Sequence, residues 1–531
     1  MHMRAILATL VLAVWGAAQA GGPPLARVEP VQDIYFGDTV SDPYRWMERG
    51  GPEFETWMHA QDDVTRSEFA AMPGRASLLK EVSASGEGIA LMNGLVRVGS
   101  QFYYLKRTAG AERPALYMRR VGSATEALLV DPATIDGGGE NSAIDYAVPS
   151  PNGRYIAFGL SRGGSESSVL RVFDVAQRRV LAEAIDRCRF GSPEWLPSST
   201  EFFYTRTRAL PPSSPRDQEF KDMSIWHHRL GDEPTGDREI FDVATHDSAL
   251  GHDAFPYLTL ASGGQYAFVQ LNSGVSDDGP WYITTRSELD KPRPAWRKLA
   301  DANTRLQQYS AALNAPQRPI VRGDTAYFVS FQDAPRGRMV KVDLRAGHEN
   351  QVTPAMPQGE DALLGMAEAR DGVYLARLSG STYRVQRWSP GTGHVDPVTL
   401  PKDVAVSELV TNRNSAGVTL SLSSWIAPAD YVRSGVGVPQ RSWRLGNSSA
   451  PPGVALVAET LDITARDGVK VPVTIVRRVG ARPAGPAASL RRSLRGLRNF
   501  YRPTLPIPPT ALAKARPPVC GGACPWRWRV R

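Results

Sequence analysis

Ser150-Pro151-Asn152-Gly153-Arg154-Tyr155-Ile156-Ala157-Phe158 is a turn that passes directly into a run of aromatic and β-branched residues. Such a run bounded by Pro, Gly and Asn reads as a strand. The theme returns between about residues 85 and 450, in Phe102-Tyr103-Tyr104-Leu105, Phe202-Phe203-Tyr204, Tyr266-Ala267-Phe268-Val269, Tyr327-Phe328-Val329, Val373-Tyr374-Leu375 and Val418-Thr419-Leu420. Anchored on Tyr103, Tyr155, Phe203, Tyr266, Tyr327, Tyr374 and Val418, the seven recurrences are spaced by 52, 48, 63, 61, 47 and 44 residues. Each interval has room for one four-stranded blade. A large sandwich would show turn signals without this longer period. The spacing therefore predicts a mainly β chain, a seven-bladed β-propeller over residues 85–450, whose radial closure leaves only short strand edges.

Working outward, residues 52–72 carry Phe54, Trp57, Met58, Val64 and Phe69 at roughly helical spacing, with Gly74 as a stop. An N-terminal helical segment is expected there. Behind the repeats, Leu461-Asp462-Ile463-Thr464 alternates, Asp467-Gly468 is a turn, and Val469 to Val476 alternates again, which predicts a hairpin.

The first residues pair Arg4 with an apolar run from Ala5 to Trp15 and the small-residue site Ala18-Gln19-Ala20. A membrane anchor would need roughly 20 apolar residues. The expectation is a signal peptide over 1–20, cleaved at about Ala20, and hence a periplasmic or secreted protein with no membrane span. Three cysteines, Cys188, Cys520 and Cys524, imply no disulfide framework, so an ordinary core must hold an exported chain of 531 residues.

The net charge of +8 points toward nucleic acid only until it is located. From Arg477 onward stand twelve arginines, Lys514 and no acid; without them the 62 bases fall to 49 against 54 acids, a balance of −5. The body of the chain is mildly acidic. No nucleic-acid partner and no cofactor are expected, and a monomer is the expected state.

Patterns that could carry chemistry have structural readings beside them. Gly159-Leu160-Ser161-Arg162-Gly163 fits the nucleophile elbow Gly-x-Ser-x-Gly, but an elbow must lead into a helix. Here Gly164-Ser165-Glu166 leads toward an apolar run at Val169, so a blade hairpin is expected. His227 and His228 are adjacent on a strand and face opposite ways, which prevents a shared metal. His246 and His252 lie beside Asp247 and Asp253, and are read as loop residues because no further ligand spacing supports a metal site. Gly137-Gly138-Gly139 lacks the strand-to-helix setting of a phosphate loop. The expected sets of catalytic, cofactor-binding and metal-binding residues are accordingly empty.

Tyr35-Phe36-Gly37-Asp38 and the heptad Asp42-Pro43-Tyr44-Arg45-Trp46-Met47-Glu48 resemble the opening of the prolyl oligopeptidase family of serine peptidases. The resemblance continues in order through residues 150–155, Gly164-Ser165-Glu166, Trp226 to Gly231, Ser424-Trp425 with Pro428 and Tyr431, and Ala465 to Pro472. It implies an α/β-hydrolase domain assembled from residues 21–84 and a later segment beginning at 451–480. The propeller would sit between them as a lid that filters substrates by size, and the activity implied is hydrolysis of short proline-containing peptides by a Ser, Asp, His triad.

That triad needs a nucleophile, an acid and a histidine in this order beyond the first hydrolase strands. All eight histidines precede Val476, and no Asp or Glu comes after Asp467. The 531 residues are therefore expected to be catalytically inactive as written, with only the first hydrolase strands in place. The alternative is a propeller that binds peptides or protein partners without catalysis.

Residues 481–531 lose alternation and acids and become rich in Arg and Pro. Stepped one base forward, the codons of Trp526 to Val530 and those just before them permit Val-Arg-Gly-Gly-Gly-Glu, which resembles the family's glycine-rich segment upstream of the nucleophile. A one-base slip near codon 482 is the expectation, and the gene's nucleotide sequence decides it. The rival is a cationic aromatic arm built on Arg491, Arg492, Arg495, Arg498, Trp526 and Trp528, against which stand Pro503, Pro506, Pro508 and Pro509.

Overall fold

The computed structural model describes residues 23–480, apart from 88–89, 136–138, 140, 212–213, 215, 247–251, 262, 274–277, 346, 348 and 446–454. The expectations for residues 1–20 and 481–531, and those for Gly137, Gly138, Asp247, Cys520 and Cys524, lie outside the described residues. The chain divides into two compact units between Ala84 and Ser85.

The first unit begins with a hairpin of Val31–Tyr35 and Asp38–Asp42. Its two-residue loop, Phe36 at φ 53° and Gly37 at φ 94°, has the positive φ values of a tight hairpin turn. The heptad next in the chain ties itself together. Asp42 Oδ1 accepts the Tyr44 N–H at 2.9 Å, Arg45 pairs with Asp42 and Asp33, and the indole of Trp46 donates to Arg27 O at 2.8 Å.

Helix α1 spans Pro52–Ala71, with Pro at its first position, where the missing N–H costs nothing. It halts as expected before Gly74, at φ +79°, but a second helix, α2 over Arg75–Glu87, starts at once. The sequence reading missed α2. Its apolar Leu78, Leu79 and Val82 are exposed and mark no clear buried stripe.

The second unit contains seven antiparallel sheets of four strands, each in strict chain order, over 91–130, 142–185, 194–242, 254–300, 320–354, 362–398 and 405–442. This is the seven-bladed propeller. All seven sequence anchors fall on the second strand of a blade, from Gln101–Arg107 in blade 1 to Val418–Ser423 in blade 7. A second strand has neighbours on both edges and a blade against each face, so it is written as a continuous apolar run. Tyr155–Arg162 and Gly372–Ser379 are buried over nearly their whole length.

Among the described residues the core falls into seven clusters, one at each blade junction. Closure between blades 7 and 1 uses no shared strand. Phe102 meets the Trp443 ring edge-on at 5.2 Å, Arg119 donates to the carbonyls of Trp443 and Arg444 at 2.9 and 2.7 Å, and Asn412 donates to Arg97 O at 3.3 Å.

The predicted hairpin lies beyond blade 7 as Leu456–Thr464 paired with Lys470–Arg478, turning at Asp467 and Gly468 (φ +83°). Leu461, Ile463, Val471, Val473 and Ile475 are exposed on it. Among the described residues no helix is long and apolar enough to cross a membrane.

Candidate functional site

Gly159 to Gly163 lies where the second strand of blade 2, Tyr155–Arg162, turns into the third, Val169–Asp174. Gly163 and Gly164, at φ 61° and 72°, make that turn, so strand leads to strand and the elbow geometry is absent. Ser161 is 2% exposed, and its hydroxyl donates to Asp145 Oδ1 at 2.9 Å while Ser168 donates to Asp145 Oδ2 at 2.5 Å. The motif's serine is a cross-strand tie.

The four histidines His227, His228, His246 and His252 are committed elsewhere. On Ser224–Arg229, the third strand of blade 3, His227 and His228 point to opposite faces, as alternation requires. His228 is fully buried, with Nδ1 2.8 Å from Asp237 Oδ1, and Asp237 Oδ2 also accepts the Tyr204 hydroxyl at 2.7 Å. His246 Nδ1 lies 2.8 Å from Asp242 O, and its ring stacks on Phe241 at 4.2 Å. His252 Nδ1 lies 2.6 Å from Asp222 Oδ1. His246 and His252 thus have separate partners, and the described residues contain no cluster of three potential metal ligands. Gly139 accepts the Ser142 N–H at 2.9 Å in a loop.

His227 Nε2 stands 3.0 Å from Glu201 Oε2, yet burial outweighs this partner and holds its pKa below the ordinary 6.5. The folded state then takes up a proton less readily than the unfolded chain. Stability from the neutral ring is complete above pH of about 6.5 and drains away as pH falls through the lower folded value. Urea midpoints measured from pH 7.5 to 5 are expected to fall less steeply in His227→Gln than in wild type; equal slopes would show that the ring does not titrate with folding.

The first strands of blades 1 and 2, 3 and 4, 6 and 7, and 7 and 1 pack on one another along the inner wall of the ring. Charged residues on and beside these strands join one blade to the next and, in one case, to the next but one. Glu194, on the first strand of blade 3, receives both Nη groups of Arg318, which stands just before the first strand of blade 5. Arg318 also reaches Thr259 of blade 4 at 3.2 Å, and Glu194 Oε1 accepts the Leu260 N–H at 3.1 Å. The inner strand has only one edge paired, so these side chains cap backbone groups left open toward the bore. Farther along, Glu368 of blade 6, 8% exposed, is held between Arg322 and Arg413, the latter at 2.9 Å.

A small hairpin between blades 4 and 5, Tyr309–Ser310 with Ala315–Pro316, leans on the inner strand of blade 6. Ser310 donates to Leu364 O at 2.6 Å and Gln317 Oε1 accepts the Met366 N–H at 2.8 Å. A Cβ on Gly365 would fall 2.5 Å from Gln317 Oε1 and 2.7 Å from Leu313, so glycine permits the close approach. The sequence reading identified none of this polar inner wall. Glu194 and Arg318 are 124 residues apart, and no spacing rule joins them.

The family model for the prolyl oligopeptidase N-terminal beta-propeller domain matches residues 23–433, which is most of the chain. The chain belongs to the prolyl oligopeptidase family. A prolyl endopeptidase of Elizabethkingia meningoseptica is 22% identical over 493 residues, covering 90% of this chain and 64% of that enzyme. Prolyl oligopeptidase A of Galerina marginata is 25% identical over 419 residues, covering 70% of this chain and 54% of that one.

Among solved structures, one from a mechanistic study of two prolyl endopeptidases superposes with a TM-score of 0.73 at 24% identity, over 88% of this chain and 66% of the other. Prolyl oligopeptidase B of Galerina marginata, bound to a 25mer macrocyclization substrate, gives 0.70 at 17%, over 86% and 66%. At these identities the superpositions show the fold. The chain spans less than two thirds of the length of these prolyl oligopeptidase relatives.

Proposed function

We propose that this chain supplies the propeller of a serine peptidase of the prolyl oligopeptidase type, whose reaction is hydrolysis of short peptides after proline, and that these 531 residues by themselves do not turn such peptides over. Family membership and the propeller support the first half. The second half rests on one observation: the Gly-x-Ser-x-Gly serine, Ser161, is buried in a blade hairpin against Asp145, while the carboxylates beside His227, His228 and His252 tie those rings into blade structure. Acyl transfer needs a hydroxyl whose proton a carboxylate-oriented imidazole can take. Thr245 does meet a ring, that of His246, but the same nitrogen faces a backbone carbonyl.

The test is the purified chain on a chromogenic Gly-Pro substrate, with diisopropyl fluorophosphate as active-site probe. No turnover above buffer and no labelled serine are expected. Turnover that the probe abolishes would overturn the proposal.

A further inference from the structure

Between blades 2 and 3 lies a cleft of about 440 Å³, two of whose lining residues, Asp222 and Asp242, also meet His252 and, through its carbonyl, His246. Its floor is Ser224 and Trp226, from the third strand of blade 3. Two cross-strand rows run over it: Arg206, Ser224 and Asp242 in one, Tyr204, Trp226 and Glu239 in the other. Residues directly paired across strands share a face. Glu239 and Asp242, three apart, would ordinarily point to opposite faces, but the register shifts between Ile225 and Trp226, and this bulge turns both acids into the cleft. Arg206 and Asp242 stand two strand spacings apart, about 10 Å. The small side chain of Ser224 leaves the space between them open.

The two walls are opposite in charge. Arg206, with Arg187 from the segment after blade 2 and Arg208 from the loop ahead of Ser224, forms one, and it keeps a positive balance because three guanidinium groups meet only the carboxylates of Asp186 and Asp222; Glu239 and Asp242 form the other. Each guanidinium carries five N–H donors. Arg206 spends Nε and Nη2 on Asp186, Arg187 spends Nε on Asp186 and Nη1 on Thr207 O, and Arg208 spends Nη1 on Asp222. One terminal nitrogen on each of the three has no partner among the described residues. Thr207, 2% exposed, lines the same wall with its Oγ1 unpartnered. On the other wall Glu239 makes no hydrogen bond or ion pair among the described residues.

We infer that this cleft binds a short free peptide of two or three residues, its terminal carboxylate at Arg187, Arg206 and Arg208, its ammonium at Glu239 and Asp242, and its backbone over Ser224 and Trp226. An extended chain spans at most about 3.3–3.6 Å per residue, so three residues match the roughly 10 Å between the strands that carry Arg206 and Asp242. Carboxylate recognition by paired guanidinium donors fixes the orientation. A simple anion such as phosphate would satisfy one wall and face Glu239 and Asp242 across the other. The inference requires no hydrolysis by this chain and stands or falls apart from the proposal above.

Calorimetric titration of the 531-residue protein with trialanine, N-acetyl-trialanine, trialanine amide and inorganic phosphate tests it. Trialanine is expected to bind saturably at one site, and blocking either terminus is expected to weaken it about tenfold, the loss of one charged hydrogen-bonded contact. Glu239→Gln removes an exposed, unpartnered acid and leaves thermal unfolding unchanged; it is expected to weaken trialanine about tenfold while leaving N-acetyl-trialanine as it was. Arg208→Gln is expected to weaken trialanine and to spare the amide. Equal affinity for trialanine and its blocked forms, tighter binding of phosphate, or no saturable heat from a cooperatively folding protein would each overturn the inference.

Discussion

A Gly159→Ala chain is expected to unfold at lower urea than wild type, losing about 1–3 kcal/mol of stability, the usual cost of overpacking. A Cβ at this position would lie 2.4 and 2.5 Å from Cε1 and Cζ of Tyr146, whereas carbons rest about 3.5–4.0 Å apart. Tyr146 is directly opposite Gly159 in the strand pairing, so its ring covers the residue that has no side chain. The ring cannot simply back away. Its hydroxyl donates to Cys188 O at 3.0 Å, and a Cβ on Gly191 would fall 2.2 Å from that same hydroxyl oxygen. Tyr146→Leu costs stability alone but should restore part of what Gly159→Ala loses, so the double-mutant cycle closes with a favourable coupling. A Gly159→Ala midpoint equal to wild type would mean that the first glycine of the Gly-x-Ser-x-Gly pattern has no packing role in blade 2.

The same residues show why some of the fold was legible and some was not. Tyr155 to Phe158 announced a strand because a second strand is apolar on both faces, and a continuous aromatic and β-branched run needs no knowledge of its neighbours. The first strand of blade 3 is only Glu194–Trp195, and that of blade 5 only Ile320–Arg322. Such short pieces have no period to read. Gly-x-Ser-x-Gly is legible as a hairpin because Gly164-Ser165-Glu166 leads on to a strand, while the reason for its first glycine is Tyr146, on another strand. The inner-wall pairs Glu194–Arg318 and Glu368–Arg413, and the row Arg206, Ser224 and Asp242, exist only once register and ring closure are known. A bulge decides which way Glu239 points, and no local pattern carries that information.

Burial and charge are divided in a consistent way. Each junction between blades buries its own apolar cluster, so the ring is stabilised piecewise, while the polar groups buried within a blade, such as His228 and Ser161, are tied to carboxylates nearby. At the inner wall the side chains answer to the backbone: Glu194 and Gln317 accept, and Ser310 donates, at strand edges that have no further strand to meet. In the cleft several donors and an acid remain unspent. That difference separates charges that hold the ring together from charges available to a ligand.

The junction between blades 7 and 1 is where the ring is expected to yield first. Trp443→Ala should cost about 3–5 kcal/mol, the range for losing a large buried aromatic. Trp443 is 8% exposed in a cluster of six buried residues, its indole N–H donates to Thr419 Oγ1 at 3.0 Å, and its ring receives Phe102 at 5.2 Å. Every other pair of neighbouring blades is consecutive in the chain, but blades 1 and 7 stand at its two ends, so this cluster and the contacts of Arg119 and Asn412 join them without a connecting segment. The loss should therefore be local as well as large. Amide exchange is expected to quicken in residues 91–130 and 405–442 while 254–354 keep their protection, because opening free energies differ between parts of one structure. Trp281→Ala is the control: Trp281, fully buried between blades 4 and 5, should cost a similar amount and expose 254–354 instead. If exchange after Trp443→Ala quickens evenly round all seven blades, the ring opens as one cooperative body and the junction between its first and last blades is not its weak point.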